Sequence, residues 1–117
     1  MSNTNPFNVK RPWGEFRQFT SDGEPVTVKT ILIRNGELFS LQYHTKREEF
    51  WRVLSGTPVV TIGEKIVRAK AGDEFIVPRK ALHRIAAEGG DALILEIARG
   101  EFDEEDVVHV EDKYGRI

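Results

Sequence analysis

Between Gln42 and Trp51 the chain reads Q-Y-H-T-K-R-E-E-F-W, an amide, an imidazole, two cations and two carboxylates set among aromatic side chains. A solvated charge run has no use for a Gln-x-His pair, and a fully buried strand would not carry Lys-Arg-Glu-Glu. In an extended strand, side chains two apart share a face, so Gln42 and His44 point one way and Tyr43 the other. Glu49 opens a new apolar strand that stops at Gly56, and far downstream Gly72 leads through Pro78 to His83. If these strands line one barrel, Gln42, His44, Glu49 and His83 converge inside it. An amide oxygen, a carboxylate and two imidazoles form a mixed donor set that suits Zn, Mn, Fe, Co or Ni, so one divalent ion per chain is expected. Taken singly, the histidines read as structural, Gln42 as a satisfied core amide, and Glu49 as the partner of a nearby cation.

Cations surround the same stretch. Lys46, Arg47, Lys80 and Arg84 could cradle a sugar phosphate, because a dianion needs convergent positive donors; a solvated rim is the plain alternative. By strand alternation Lys46 continues the inward face of Gln42 and His44. Arg84 follows His83 directly, so it is expected to face away from the metal, where a structural pair is its plain alternative role. His109, in V-V-H-V-E, sits in no motif and reads as a surface residue.

The elements that must hold these residues are short strands. Residues 26–33 (V-T-V-K-T-I-L-I) alternate and end at the turn dipeptide Asn35-Gly36. Strands are expected over 38–44, 50–55 and 59–62, then in K-I-V-R-A, E-F-I-V-P, L-H-R-I-A and 92–98, with Gly-containing turns between them. The acidic E-F-D-E-E-D reads as one helical turn before a last strand, V-V-H-V-E-D. No apolar repeat of helical period runs for three turns, and regular strand spacing indicates an all-β sandwich or barrel. Residues 1–10 read as a flexible N-terminal arm and residues 11–117 as a single domain.

Length and charge narrow the function. A chain of 117 residues carries one core. A net charge of -2 with scattered basic residues argues against nucleic acid and membrane surfaces as partners. No stretch of the sequence is apolar and long enough to span a membrane, a secretion signal at the amino end is not expected, and with no cysteine both disulfides and thiolate metal sites are excluded. A cytoplasmic location is expected.

The spacing of Gly36, Gln42, His44, Glu49 and Gly56, followed by Gly72, Pro78, Lys80 and His83, resembles the two motifs of the cupin superfamily. Gln42 stands at the first histidine place, and Lys80 at the glycine of Pro-x-Gly. R-P-W-G-E-F, the Gln42 segment, P-x-x-x-x-H-R and E-D-K-Y-G-R resemble the type II mannose-6-phosphate isomerase domain over roughly residues 10–117. That domain also forms the carboxyl end of bifunctional mannose-1-phosphate guanylyltransferases. The resemblance implies an all-β cupin double-stranded β-helix, a jelly-roll-like antiparallel barrel, and a homodimer. It also implies a metal on Gln42, His44, Glu49 and His83, and interconversion of mannose 6-phosphate and fructose 6-phosphate. Lys46, Glu49 or a metal-bound water is the candidate base, with Arg47, Lys80 and Arg84 on the substrate; Lys46 could instead clamp the phosphate. Trp13, Tyr114 and Arg116, in the terminal signatures, would line the barrel mouth or close the barrel and a dimer interface. Many relatives carry histidines where this chain has Thr45, Lys46 and Phe50. Their replacement supports the rival reading, a non-catalytic sugar-binding cupin of polysaccharide or nucleotide-sugar metabolism. A third reading is another cupin enzyme, such as a sugar epimerase or an oxygenase.

Overall fold

The computed structural model describes residues 6–21, 24–100 and 106–111. In chain order these form β1 (Phe7–Arg11), β2 (Gly14–Gln18), β3 (Val26–Ile33), β4 (Leu41–Tyr43), β5 (Arg47–Ser55) and β6 (Val59–Ile62). Then come β7 (Lys65–Arg68), β8 (Glu74–Val77), β9 (His83–Ala86), β10 (Ala92–Gly100) and β11 (Val108–Glu111), with no helix among the described residues. A six-stranded sheet runs β1-β2-β3-β10-β5-β8 and a five-stranded sheet runs β11-β4-β9-β6-β7, all neighbours antiparallel. Among the described residues no helix is long and apolar enough to cross a membrane.

The alternation in β3, β10 and β5 decides what faces the interior. Thr27, Lys29, Ile31 and Ile33 point inward from β3; Ala92, Ile94, Glu96 and Ala98 from β10; and Arg47, Glu49, Trp51 and Val53 from β5. Register aligns them in rows. Ile94 lies between Ile31 and Val53, Glu96 between Lys29 and Trp51, and Ala98 between Thr27 and Glu49. One end of the interior is therefore apolar and the other charged. The apolar end closes against Phe39, Val60 and Ile85 on the side of the second sheet, giving one continuous core. Each fully buried side chain of this kind stabilises the fold by about 1.5–3 kcal/mol. The charged end costs stability unless its groups satisfy one another.

Two glycines let the strands approach closely enough for this register. At Gly56 (φ 88°) a Cβ would lie 2.4 Å from the Asp91 carbonyl oxygen. At Gly100 (φ 117°), opposite Arg47, it would lie 2.4 Å from the Lys46 oxygen. Any other residue would push β10 off β5.

The ends of the expected elements shift in informative ways. Residues 7–10, expected in a flexible arm, are strand, because β2 offers β1 a full antiparallel partner from Phe7↔Gln18 to Arg11↔Gly14. β4 is shorter than expected and β5 begins earlier, at Arg47, so the chain is not extended through residues 44–46. The acidic stretch expected to make a helical turn lies, apart from Asp106, outside the described residues.

Candidate metal centre

The site is built where β4 hands over to β5. Asp106, at the start of the segment leading into β11, holds that turn. Its carboxylate accepts the Thr45 N–H at 3.1 Å, the Thr45 hydroxyl at 2.6 Å and the Lys46 N–H at 2.8 Å. Burial pushes its carboxyl up, but these donors outweigh burial and hold it below the usual carboxylate range. The Asp106 carbonyl accepts from His44 Nδ1 at 2.8 Å, which leaves the His44 Nε2 lone pair for the interior. His83 is set the same way: Nδ1 donates to the Ala81 carbonyl at 3.0 Å and Nε2 faces inward.

Both inward nitrogens meet Glu49. His44 Nε2 lies 3.2 Å from Glu49 Oε2, and His83 Nε2 lies 3.9 Å from Oε1. One donor atom from each of the three residues falls within 4.8 Å of the others, and all three side chains are buried. The His83 Nε2 is buried with no hydrogen-bond partner. An orphaned imidazole lone pair is costly in an apolar interior. The ring nitrogens carry outer partners of the sort that fix metal-ligating histidines. These residues fit a divalent ion. Burial pushes the His83 imidazolium pKa down, against the attraction of Glu49, and so favours the neutral, ligating form. Burial would raise Glu49, but a proton on His44, through a hydrogen bond, and charge on His83 and His44 outweigh burial and favour the carboxylate.

A second carboxylate lies behind the first. Trp51 Nε1 donates to Glu49 Oε1 at 3.1 Å and to Glu96 Oε1 at 3.3 Å, and Lys29 Nζ sits 3.6 Å from Glu96 Oε2. Burial, then the charge of Glu49, pushes Glu96 up to about 7 despite Lys29. Arg47, itself buried, places Nη2 3.2 Å from His44 Nε2 and Nε 3.4 Å from Glu49 Oε2. Lys29, His44, Arg47, Glu49, His83 and Glu96 line one cavity of about 490 Å³, whose walls also include Lys10, Arg11, Trp13, Phe39 and His109.

The family model for the C-terminal domain of mannose-6-phosphate isomerase matches residues 2–112. The chain belongs to this family. It is 36% identical over 111 residues to the mannose-1-phosphate guanylyltransferase ManC of Salmonella typhimurium, covering 93% of this chain and 23% of that protein. The alginate biosynthesis protein AlgA of Pseudomonas aeruginosa is 36% identical over 114 residues, covering 96% and 24% respectively. The chain thus spans about a quarter of the length of the curated relatives it matches. Oxalate decarboxylase from Bacillus subtilis superposes with a TM-score of 0.78 at 21% identity, covering 91% of this chain and 30% of that one. Capsular polysaccharide assembling protein CapF from Staphylococcus aureus gives 0.75 at 18%, covering 92% and 34%. Such likeness fixes the fold, an all-β cupin.

Within this member of the isomerase C-terminal family, His44, Glu49 and His83 come together as expected. Gln42 reaches the same cavity opposite His83, with Oε1 accepting the Ser40 hydroxyl at 2.7 Å, so ligation there would use its second lone pair. Arg47 lines the cavity. Lys46 does not: it is exposed, because residues 44–46 turn rather than continue a strand, and the inward place passes to Arg47. Lys80 is likewise exposed, in a turn at φ 68°, where its backbone N–H donates to the His44 carbonyl at 2.6 Å. Arg84 faces away from the cavity, donating to the Phe39 carbonyl at 3.0 Å and to Glu111 at 3.0 Å, so it is a structural tie and not a substrate group. Trp13 is buried against Phe39, with ring centroids 6.0 Å apart, and also lines the cavity; Tyr114 and Arg116 lie outside the described residues.

Sequence reasoning misplaced His109 and missed Lys29, Glu96 and Asp106. His109 is opposite Gln42 in register and shares the Ser40 hydroxyl through Nδ1, on the cavity wall and not the outer surface. Lys29 and Glu96 did leave a signal: each is a charge on the inward phase of an otherwise apolar alternating strand.

Proposed function

We propose that this chain is a metal-dependent aldose–ketose isomerase that interconverts mannose 6-phosphate and fructose 6-phosphate. The observation that carries the reading is the convergence of His44, Glu49 and His83, with Arg47 beside them, inside the cavity of a chain of this family. A divalent ion held by those three residues would supply Lewis-acid polarisation of the sugar's carbonyl and hydroxyl oxygens.

The chain's own groups do the rest. Arg47, with Lys10 and Arg11 towards the mouth, offers positive donors to a phosphate, while Trp13 and Phe39 present apolar wall to the sugar and displace water from it. A proton must leave C2 and return at C1. With Lys46 outside the cavity, His109 is the proton-moving group that stands clear of the donor cluster, oriented through Nδ1 by Ser40. The test is conversion of mannose 6-phosphate to fructose 6-phosphate by chelator-treated protein before and after addition of zinc, manganese or cobalt. No conversion with any of these metals rejects the reading.

A second reading, binding of a sugar phosphate without turnover, is favoured by the exposed position of Lys46. It is separated from the first by calorimetry showing saturable binding where no product forms. For the assembly we propose a homodimer, which sedimentation velocity tests.

A further inference from the structure

Arg47 reaches into the candidate ligand group. Its Nη2 is 3.2 Å from His44 Nε2 and its Nε is 3.4 Å from Glu49 Oε2, so its guanidinium engages two of the three candidate ligand atoms. A guanidinium has only donors and keeps its charge throughout the pH range in which proteins fold. The imidazole of His44 has a single lone pair left, because Nδ1 donates to Asp106. That lone pair serves an N–H donor or a metal, not both. The backbone of Arg47 is held in register opposite Gly100 by the β5–β10 ladder. Only the side chain can give way, into the cavity shared with Lys10 and Arg11.

We infer that Arg47 is a built-in competing cation that a metal must displace from His44 and Glu49, and that an anion in the cavity assists the metal by capturing the displaced guanidinium. The inference rests on the metal reading of the His44–Glu49–His83 group and not on isomerase activity. A dianion offers the guanidinium two oxygens in the forked geometry it prefers. An anionic ligand therefore lowers the cost of leaving His44. Linkage then requires anion and metal to raise each other's affinity by the same factor.

Cobalt(II) binding, followed by calorimetry and by visible absorption, tests this in the parent, Arg47→Met and Arg47→Lys. Each protein is titrated with and without sulfate, ionic strength being held constant with chloride. The parent should bind cobalt weakly and gain about fivefold or more in affinity with sulfate, a typical coupling. Arg47→Met should bind cobalt roughly tenfold more tightly than the parent, about 1.4 kcal/mol, and ignore sulfate. Arg47→Lys, whose compact ammonium cannot span both ligand atoms, should fall between them, and it carries the test if Arg47→Met does not fold. Equal or weaker cobalt binding by folded Arg47→Met overturns the inference, as does a sulfate effect that survives the substitution. Absence of cobalt binding in all three proteins overturns it together with the metal reading. Failure to isomerise sugar phosphates alongside sulfate-dependent cobalt binding leaves it standing and removes only the isomerase.

Discussion

Replacing Asp106 by alanine should destabilise the protein by disconnecting the turn that aims His44 and Arg47 inward. One carboxylate accepts three hydrogen bonds there, from the Thr45 N–H and hydroxyl and from the Lys46 N–H. Bonds to an ionised acceptor contribute about 1.5–3 kcal/mol each. Thr45 and Lys46 are exposed, so water recovers part of the loss, and the net cost should be near 2–3 kcal/mol. For a domain of this length the unfolding entropy is about 0.25 kcal/mol/K, which converts that cost into a fall in Tm of about 8–12 °C. Asp106→Asn, keeping one acceptor oxygen, should fall between the two.

The pH dependence of the effect has a definite sign. The Asp106 carboxyl is held below its ordinary value in the fold. Its contribution is therefore fully present above the unfolded value of about 3.9 and is lost as pH falls through the folded one. Thermal melts followed by circular dichroism should show parent and Asp106→Ala far apart at neutral pH and converging in acid. Cobalt(II) affinity should fall by about tenfold, the usual cost of a disturbed outer partner. Equal melting temperatures at neutral pH, or a gap that persists unchanged into acid, would refute the reasoning.

Lys80→Gly should raise Tm by about 2–4 °C, because relief of a left-handed non-glycine residue exceeds the entropy cost of glycine by about 0.5–1 kcal/mol; a lower Tm contradicts this. Lys46→Met should leave kcat and KM for mannose 6-phosphate within about twofold of the parent, whereas loss of an acid–base group would cost about 100-fold or more. His83→Ala should weaken cobalt binding by more than about 100-fold, beyond what an outer partner costs, and calorimetry showing a smaller loss removes His83 as a ligand. His109→Gln should lower kcat on the order of 100-fold with cobalt affinity unchanged, and equal turnover assigns the proton transfer elsewhere.

Most strands were legible because their signals are local: β-branched alternation bounded by Asn35-Gly36, Gly56, Gly63, Gly72 and Gly89-Gly90. β1 was not, since F-N-V-K-R carries weak alternation and becomes a strand only because β2 pairs with it along its length. The His44–Glu49–His83 group was legible because the spacing of two separate motifs, from Gly36 to Gly56 and from Gly72 to His83, marks its members. Lys46 was misplaced by strand alternation. A period-two argument is valid only within one strand, and the break at residues 44–46 shifts phase by one residue, which exchanges the inward and outward faces. His109 and Asp106 reach the site from across 69 and 61 residues of chain, with no short-range pattern to announce them.

Lys29, Arg47, Glu49 and Glu96 point to a rule that fits this interior better than motif matching does. Two cations and two carboxylates on β3, β5 and β10 are buried at one end of the core, and register sets them beside one another. The pairing of Lys29 with Glu96, and of Arg47 with Glu49, neutralises the cluster, and Trp51 bridges the two carboxylates with one N–H. Replacing such a group by well-packed apolar residues is often neutral or stabilising. Stability alone therefore does not call for it, least of all in strands whose other inward positions are Ile31, Ile33, Ile94 and Val53. A charge on the inward phase of an apolar strand is a local rule broken, and broken rules concentrate at functional sites. Lys29 and Glu96 break it openly, so a search for inward charges on β3, β5 and β10 would have found Lys29, Arg47, Glu49 and Glu96, the charged floor of the site, with no motif at all.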